Sequence, residues 1–172
     1  MLVKVIGSIL IVTCGVAFGM NEKMKFLRKI GVLKGVIAAI DLIHAEISCM
    51  CTPTDELLEK LCATENETLC DFFTKCRDLH KERYDLPLGL IWSKVLKGAV
   101  NLDFGKNEEQ TMGEIGNALG RYEVCEQLKV FQNARINFTE YLDVAEKSKE
   151  ILGRLYGSLS IIAGIALVVI LL

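Results

Sequence analysis

What this sequence lacks narrows it quickly. Proline occurs only twice, at Pro53 and Pro87, and the 172 residues include one tryptophan and two histidines. So few prolines leave long stretches in which nothing breaks a helix. Strict apolar–polar alternation never runs beyond a few positions, so the pattern gives strands little support. There is no phosphate-binding glycine loop of the Walker type, no nucleophile elbow and no zinc-protease helix. Clustered positive charge is also missing, and with a formal net charge of −2 the chain has no electrostatic footprint for nucleic acid. Charge itself is absent from one end: nothing after Arg154 is ionisable in a side chain except Tyr156.

The two ends are what remains once charge is removed. Leu2 to Met20 contains one charged residue, Lys4, and 155–172 contains none; all 22 acidic and all but one of the 20 basic residues lie in 21–154. At about 1.5 Å per residue, a helix over 2–20 reaches about 28 Å, close to the ~30 Å hydrocarbon core. A cleaved signal peptide is the rival reading, since Ala17 and Gly19 are small. The basic flank Lys23, Lys25, Arg28 and Lys29 opposes export, so an uncleaved anchor is expected. Residues 159–172 are apolar on every face, which suits lipid better than a one-sided core stripe. Lys147, Lys149 and Arg154 precede this second span. Basic flanks stay inside, so residues 21–154 are expected to be cytoplasmic and both termini outside, with Lys4 reaching the outer interface.

Within 21–154 the spacing predicts an all-α domain. The first span is expected to continue as one helix with Leu27, Ile30, Leu33, Ile37, Ile40, His44 and Ile47 on one face, ending near Cys49–Cys51 before Pro53. Thr52 is expected to cap the next helix, with Pro53 in its first turn and Leu57, Leu58, Leu61 and Cys62 inward. After a break at Thr64–Asn66 comes a helix with Leu69, Phe72, Phe73, Cys76 and Leu79 inward. Pro87 opens another, with Leu90, Ile91, Val95 and Leu96 inward and Trp92 at the edge. A turn at Asn101–Gly105 precedes a helix expected to be capped by Asn107 with Gln110. It buries Met112, Ile115 and Leu119 and stops at Gly120. From Arg121 one helix of about 50 residues enters the second span, with Val124, Leu128, Phe131, Ile136, Phe138, Leu142, Ala145, Ile151 and Leu155 at rough helical period. The whole is two long helices continuous with the membrane spans and about four shorter ones packed between them. Gly15/Gly19, Gly31/Gly35 and Gly153/Gly157 are each four apart, a spacing that lets helices approach closely, and the pairs near the membrane are candidates for packing the two spans together.

No catalytic, cofactor or metal residue is expected. His44 falls on the inward stripe, a core position. Six of the seven cysteines lie in the middle domain, where a reducing cytoplasm keeps them as thiols. Cys49-Met50-Cys51 lacks the paired spacing of a structural zinc site. It leaves a metal- or thiol-responsive membrane regulator as the alternative function. The formal glycosylation sequons at Asn66 and Asn137 carry no meaning on a cytoplasmic domain. A holin-like pore ranks last, because the spans offer almost no polar side chains beyond Ser8, Thr13, Ser158 and Ser160.

Several motifs taken in order resemble one family. They are Ala45-Glu46-Ile47, then Thr52-Pro53 with the Leu57-Leu58 helix, then Leu119-Gly120 with Gln127 downstream, then Leu155-Tyr156-Gly157-Ser158-Leu159. Together with the length and span placement, they resemble the stage III sporulation protein AB family of endospore-forming bacteria. Tyr122-Glu123 stand where that family usually has Ser-Asp, and Thr54 where it often has leucine. The resemblance implies a non-enzymatic platform in the mother-cell membrane around the forespore, with a cytoplasmic domain similar to the platform protein of type II secretion machines. It further implies as partners a separate secretion-type cytoplasmic ATPase and other membrane proteins of the sporulation channel, besides the lipid bilayer. Glu46, Thr52, Pro53, Leu119, Gly120 and Gln127 are the interaction candidates this reading gives, with the contact sought around Glu46–Asp55 and Gly105–Gly120. Gly153 and Gly157 are the helix-packing and junction candidates.

Overall fold

The computed structural model describes the backbone of residues 2–50, 52–119 and 123–171 and the side chains of 24–49, 52–119 and 123–151. The described residues form six α-helices and no strand: α1 (Leu2–Ala45), α2 (Thr54–Cys62), α3 (Glu67–Glu82), α4 (Leu88–Gly98), α5 (Lys106–Ala118) and α6 (Val124–Leu171). A π-helical turn, Glu46–Met50, follows α1, and a 3₁₀ turn, Val100–Leu102, follows α4. The chain divides into two compact units, Met1–Ile30 with Val144–Leu172, and Gly31–Asp143. In the first, Ile30 and Ala145 are buried, while Met24, Leu27, Val144 and Ile151 are exposed. No helix among the described residues is long and apolar enough to cross a membrane. The segments 2–20 and 155–172 lie outside the described side chains.

The second unit holds the core. On α1 the buried residues are Val32, Leu33, Val36, Ala39, Ile40 and Ile43. This stripe is wider than the expected one and rotated towards the preceding position, as a helix covered from two sides requires. His44 falls off its edge and is exposed, not a core residue. Gly35 allows a close approach. A Cβ there would meet Leu69 Cδ1 at 2.5 Å and Asn66 Cβ at 3.4 Å. The Gly31/Gly35 pair therefore seats the start of α3 against α1.

The shorter helices begin where their chemistry allows, though not always at the expected cap. Pro53 is the N-cap residue of α2, and no side chain caps that helix. Asn66 caps α3, its Oδ1 accepting from the Leu69 N–H at 3.2 Å. Gly105 precedes α5, and the Glu108 carboxylate accepts the Gly105 N–H at 2.6 Å. The Asn107–Gln110 cap is thus replaced by one two residues earlier, and Gln110 donates to Glu114 at 3.1 Å instead. Asp103 takes the left-handed conformation, with φ of 52°, a region that aspartate tolerates better than most non-glycine residues.

Helix α4 shows the largest departure. Leu90 is 58% exposed, while Leu88, Ile91, Val95 and Leu96 are buried and Trp92 is 0% exposed. Trp92 is the centre of the domain and not its edge. Its Nε1–H donates to the Met112 carbonyl on α5 at 2.9 Å, and its ring meets Phe72 edge-on at a centroid distance of 5.0 Å. The indole is buried because its one polar atom finds a backbone acceptor. On α6, Phe131, Ala134 and Phe138 face the core, while Val124 and Ile136 are exposed. Asp41 on α1 accepts a hydrogen bond from Arg135 Nε on α6 at 2.6 Å.

Candidate functional site

The interaction candidates near Glu46 come together at the end of α1. The π turn is wider than an α-helical turn and begins at Glu46 itself. Thr52 precedes Pro53, a position held away from the helical region. The two meet: Thr52 Oγ1 donates to Glu46 Oε2 at 2.5 Å. Lys60, in the last turn of α2, donates from Nζ to the same oxygen at 2.8 Å. Lys60 also lies 3.1 Å from Glu56 Oε1, one helical turn away. Glu46 therefore clasps the π turn, the stretch of chain entering α2 and the C-terminal end of α2. Its side chain is 12% exposed.

The electrostatics follow from this geometry. The Lys60 ammonium, and then the Thr52 hydroxyl, hold the Glu46 carboxyl below the ordinary carboxylate range. Glu46 and then Glu56 raise the Lys60 ammonium. A carboxylate already accepting two bonds and held in its charged form is a poor proton acceptor, so the cluster is suited to shaping a surface. Its pH dependence has a definite sign. A depressed carboxyl contributes stability above its unfolded-state value, and that contribution disappears as pH falls through the folded-state value. Glu46→Gln should therefore be less stable than the parent chain at neutral pH. The gap should close below the ordinary carboxylate range, as chemical unfolding followed over a pH series would show.

The remaining candidates are dispersed. Leu119 caps the C-terminus of α5, 4% exposed, and Gln127 is 8% exposed on α6. Both sit in the interior and not on an exposed surface. Gly120 lies outside the described residues, as do the surroundings of Gly153 and Gly157. Beside the clasp, a groove runs along α1 and is lined by Gly31, Lys34, Gly35, Ala38, Lys60 and Asn66. Its small α1 residues thus line a groove whose wall is shared with Lys60, the lysine of the clasp.

The thiols and histidines do not converge on chemistry. Cys49 is exposed, and Cys51 lies outside the described residues. Cys70 donates to the carbonyl of Cys62 at 3.0 Å, which satisfies a carbonyl in the last turn of α2. Burial pushes the Cys76 thiol up to about 12, so it stays protonated and inert. His80 Nε2 lies 3.5 Å from Asp55 Oδ1. Among the described residues, no group of three or more His, Cys, Asp or Glu is placed to hold a metal ion.

Sequence reasoning misses Lys60 as the partner of Glu46, Asn66 as a cap and the Asp41–Arg135 pair. Asn66 carries a readable signal, an asparagine followed by Glu67 at a helix start. The other two link residues distant in sequence, and no local pattern marks them.

Comparison with known proteins adds the family. The family model described as stage III sporulation protein AB matches residues 4–172. A solved structure titled "Stage III sporulation protein AB (SpoIIIAB)" is similar with a TM-score of 0.65 at 18% identity, covering 72% of this chain and 98% of that chain. That likeness supports the fold. No curated protein matches the chain.

Proposed function

Since the chain belongs to the stage III sporulation protein AB family, and is thus a sporulation-related all-α protein, we propose that it is a non-enzymatic platform in a membrane complex. On this reading, residues 2–20 and 155–172 are membrane spans and 21–154 form a cytoplasmic domain, with both termini outside. The membrane is the mother-cell membrane around the forespore. The domain receives a conformational change from a separate secretion-type cytoplasmic ATPase and passes it to other membrane proteins of the sporulation channel.

The observation that carries the reading is the pair of long helices. Helix α1 has 44 residues and α6 has 48. Each is helical from the described domain into the apolar sequence at its end. Within Gly31–Asp143 they are tied by Asp41 and Arg135. Helices joined in the domain and apolar beyond it suit the transfer of a displacement from domain to bilayer. The basic flanks of the two apolar segments support the orientation.

The clasp of Glu46, Thr52 and Lys60, with Pro53 beside it, is the surface offered to the ATPase. Full-length protein in detergent micelles is expected to retain the purified ATPase in a pull-down, and Glu46→Lys should reduce that retention at least severalfold. No retention by the parent chain, with or without nucleotide, would overturn the platform reading. Equal retention by the variant would move the contact elsewhere.

A further inference from the structure

A second groove lies between α3 and α4, away from the clasp. Phe72 and Leu79 of α3 and Val95 of α4 supply its apolar floor, together with Leu102. Its rim carries Asp71, Lys75, Asp78, Glu82 and Lys94. Most of these charges are already satisfied. Lys75 donates to Asp71 at 2.7 Å, and Arg77 donates to Asp78 at 2.8 and 2.9 Å. Glu82 on the α3 wall and Lys94 on the α4 wall are left without a hydrogen-bond or ion-pair partner among the described residues. One unmatched charge of each sign, on opposite walls, is a self-complementary arrangement.

The outer side of α4 is also unusually apolar. Leu90, one turn before Lys94, is 58% exposed, and Val100, just after the helix, is 83% exposed. Val100 is the most exposed large hydrophobic residue among the described ones. The outer stripe of α4, continued into the turn after it, therefore reads Leu90, Lys94, Lys97, then Val100, with one apolar group at each end of two ammonium groups.

We propose that the groove between α3 and α4 is a homodimer interface, in which the outer edge of α4 from one copy lies in the groove of a second copy. A two-fold axis makes every contact reciprocal. Lys94 of each copy meets Glu82 of the other, and Leu90 and Val100 cover the apolar floor. A partner of one charge sign would leave Glu82 or Lys94 opposed by like charge, whereas a second copy pairs both. The interface does not depend on the platform reading, because it uses neither the clasp nor an ATPase.

Charge reversal tests it. Full-length protein in detergent micelles is expected to be dimeric by native mass spectrometry. Glu82→Lys places two cations at each contact and should weaken the dimer at least tenfold. The double variant Glu82→Lys with Lys94→Glu restores opposite signs and should recover the dimer. Circular dichroism on each variant separates loss of association from loss of fold, and Val100→Asp gives an independent disruption by burying a charge. A monomeric parent chain overturns the proposal. So does a dimer that Glu82→Lys leaves intact, or a folded double variant that stays monomeric.

Discussion

Trp92→Ala is expected to cost about 4 kcal/mol of folding stability, the range for deleting a fully buried aromatic side chain. Small domains are stable by only about 5–15 kcal/mol, so this one change removes a large fraction of the total. The size follows from the position of the indole. It is 0% exposed, meets Phe72 at 5.0 Å and Phe73 at 5.8 Å between centroids, and donates to the Met112 carbonyl. Its loss opens a cavity where α3, α4 and α5 meet. Denaturant unfolding of the full chain, followed by far-UV circular dichroism, would measure it. A loss below about 1 kcal/mol would show that the neighbouring helices collapse into the space.

Gly116→Ala should come next, destabilising by about 3 kcal/mol through overpacking. A Cβ on Gly116 would lie 2.2 Å from Trp92 Cγ and 2.7 Å from Trp92 Cβ. Neither atom is the free end of a flexible chain, so α4 and α5 must move apart. Gly113, one turn earlier in α5, is the control. A Cβ there has its nearest neighbour, Leu96 Cδ2, at 4.0 Å, so Gly113→Ala should be neutral or stabilising by about 0.5–1 kcal/mol through helix propensity. The two larger changes are coupled. In a Trp92→Ala background the added methyl enters the vacated space, and the penalty at Gly116 should shrink by more than about 1 kcal/mol. Additivity of the two losses would refute the direct contact.

These two positions also show where sequence reading stops. The six helices are legible because few prolines interrupt the chain and the apolar spacing is helical. Leu57, Leu58, Leu61, Phe72, Phe73, Ile91 and Met112 are inward by periodicity and buried in the fold. Periodicity puts Trp92 at the edge because it measures only a side chain's phase on its own helix. The burial of the indole depends on an acceptor from another helix, the Met112 carbonyl. Leu90 reads as inward because it is apolar, although α4 is already covered through Leu88, Ile91 and Val95. His44 fails similarly, one position beyond the edge of a stripe whose phase is set by two neighbours.

The candidate site divides along the same line. A resemblance in motif order points to Glu46, Thr52 and Pro53, and the structure supplies what binds them. Lys60, the residue that completes the cluster, belongs to a different helix and has no marker in its own segment. Leu119 and Gln127 share the motif order but lie inside the domain, so a motif residue need not be a surface residue. Motif order marks all of these residues alike; the geometry separates those joined in the clasp from those buried in the interior.

The bond between Asp41 and Arg135 joins residues 94 apart in the chain. During synthesis the first of these leaves the ribosome long before the second. The apolar stripe of α1, from Val32 to Ile43, is made early, whereas Phe131 and Phe138, buried residues of α6, arrive last. Contacts of such long sequence separation form late and slow the closing of the fold. A chain cut short after α5 would lack Arg135 and the buried residues Phe131, Ala134 and Phe138, so this domain is committed to its native state only when α6 has been made.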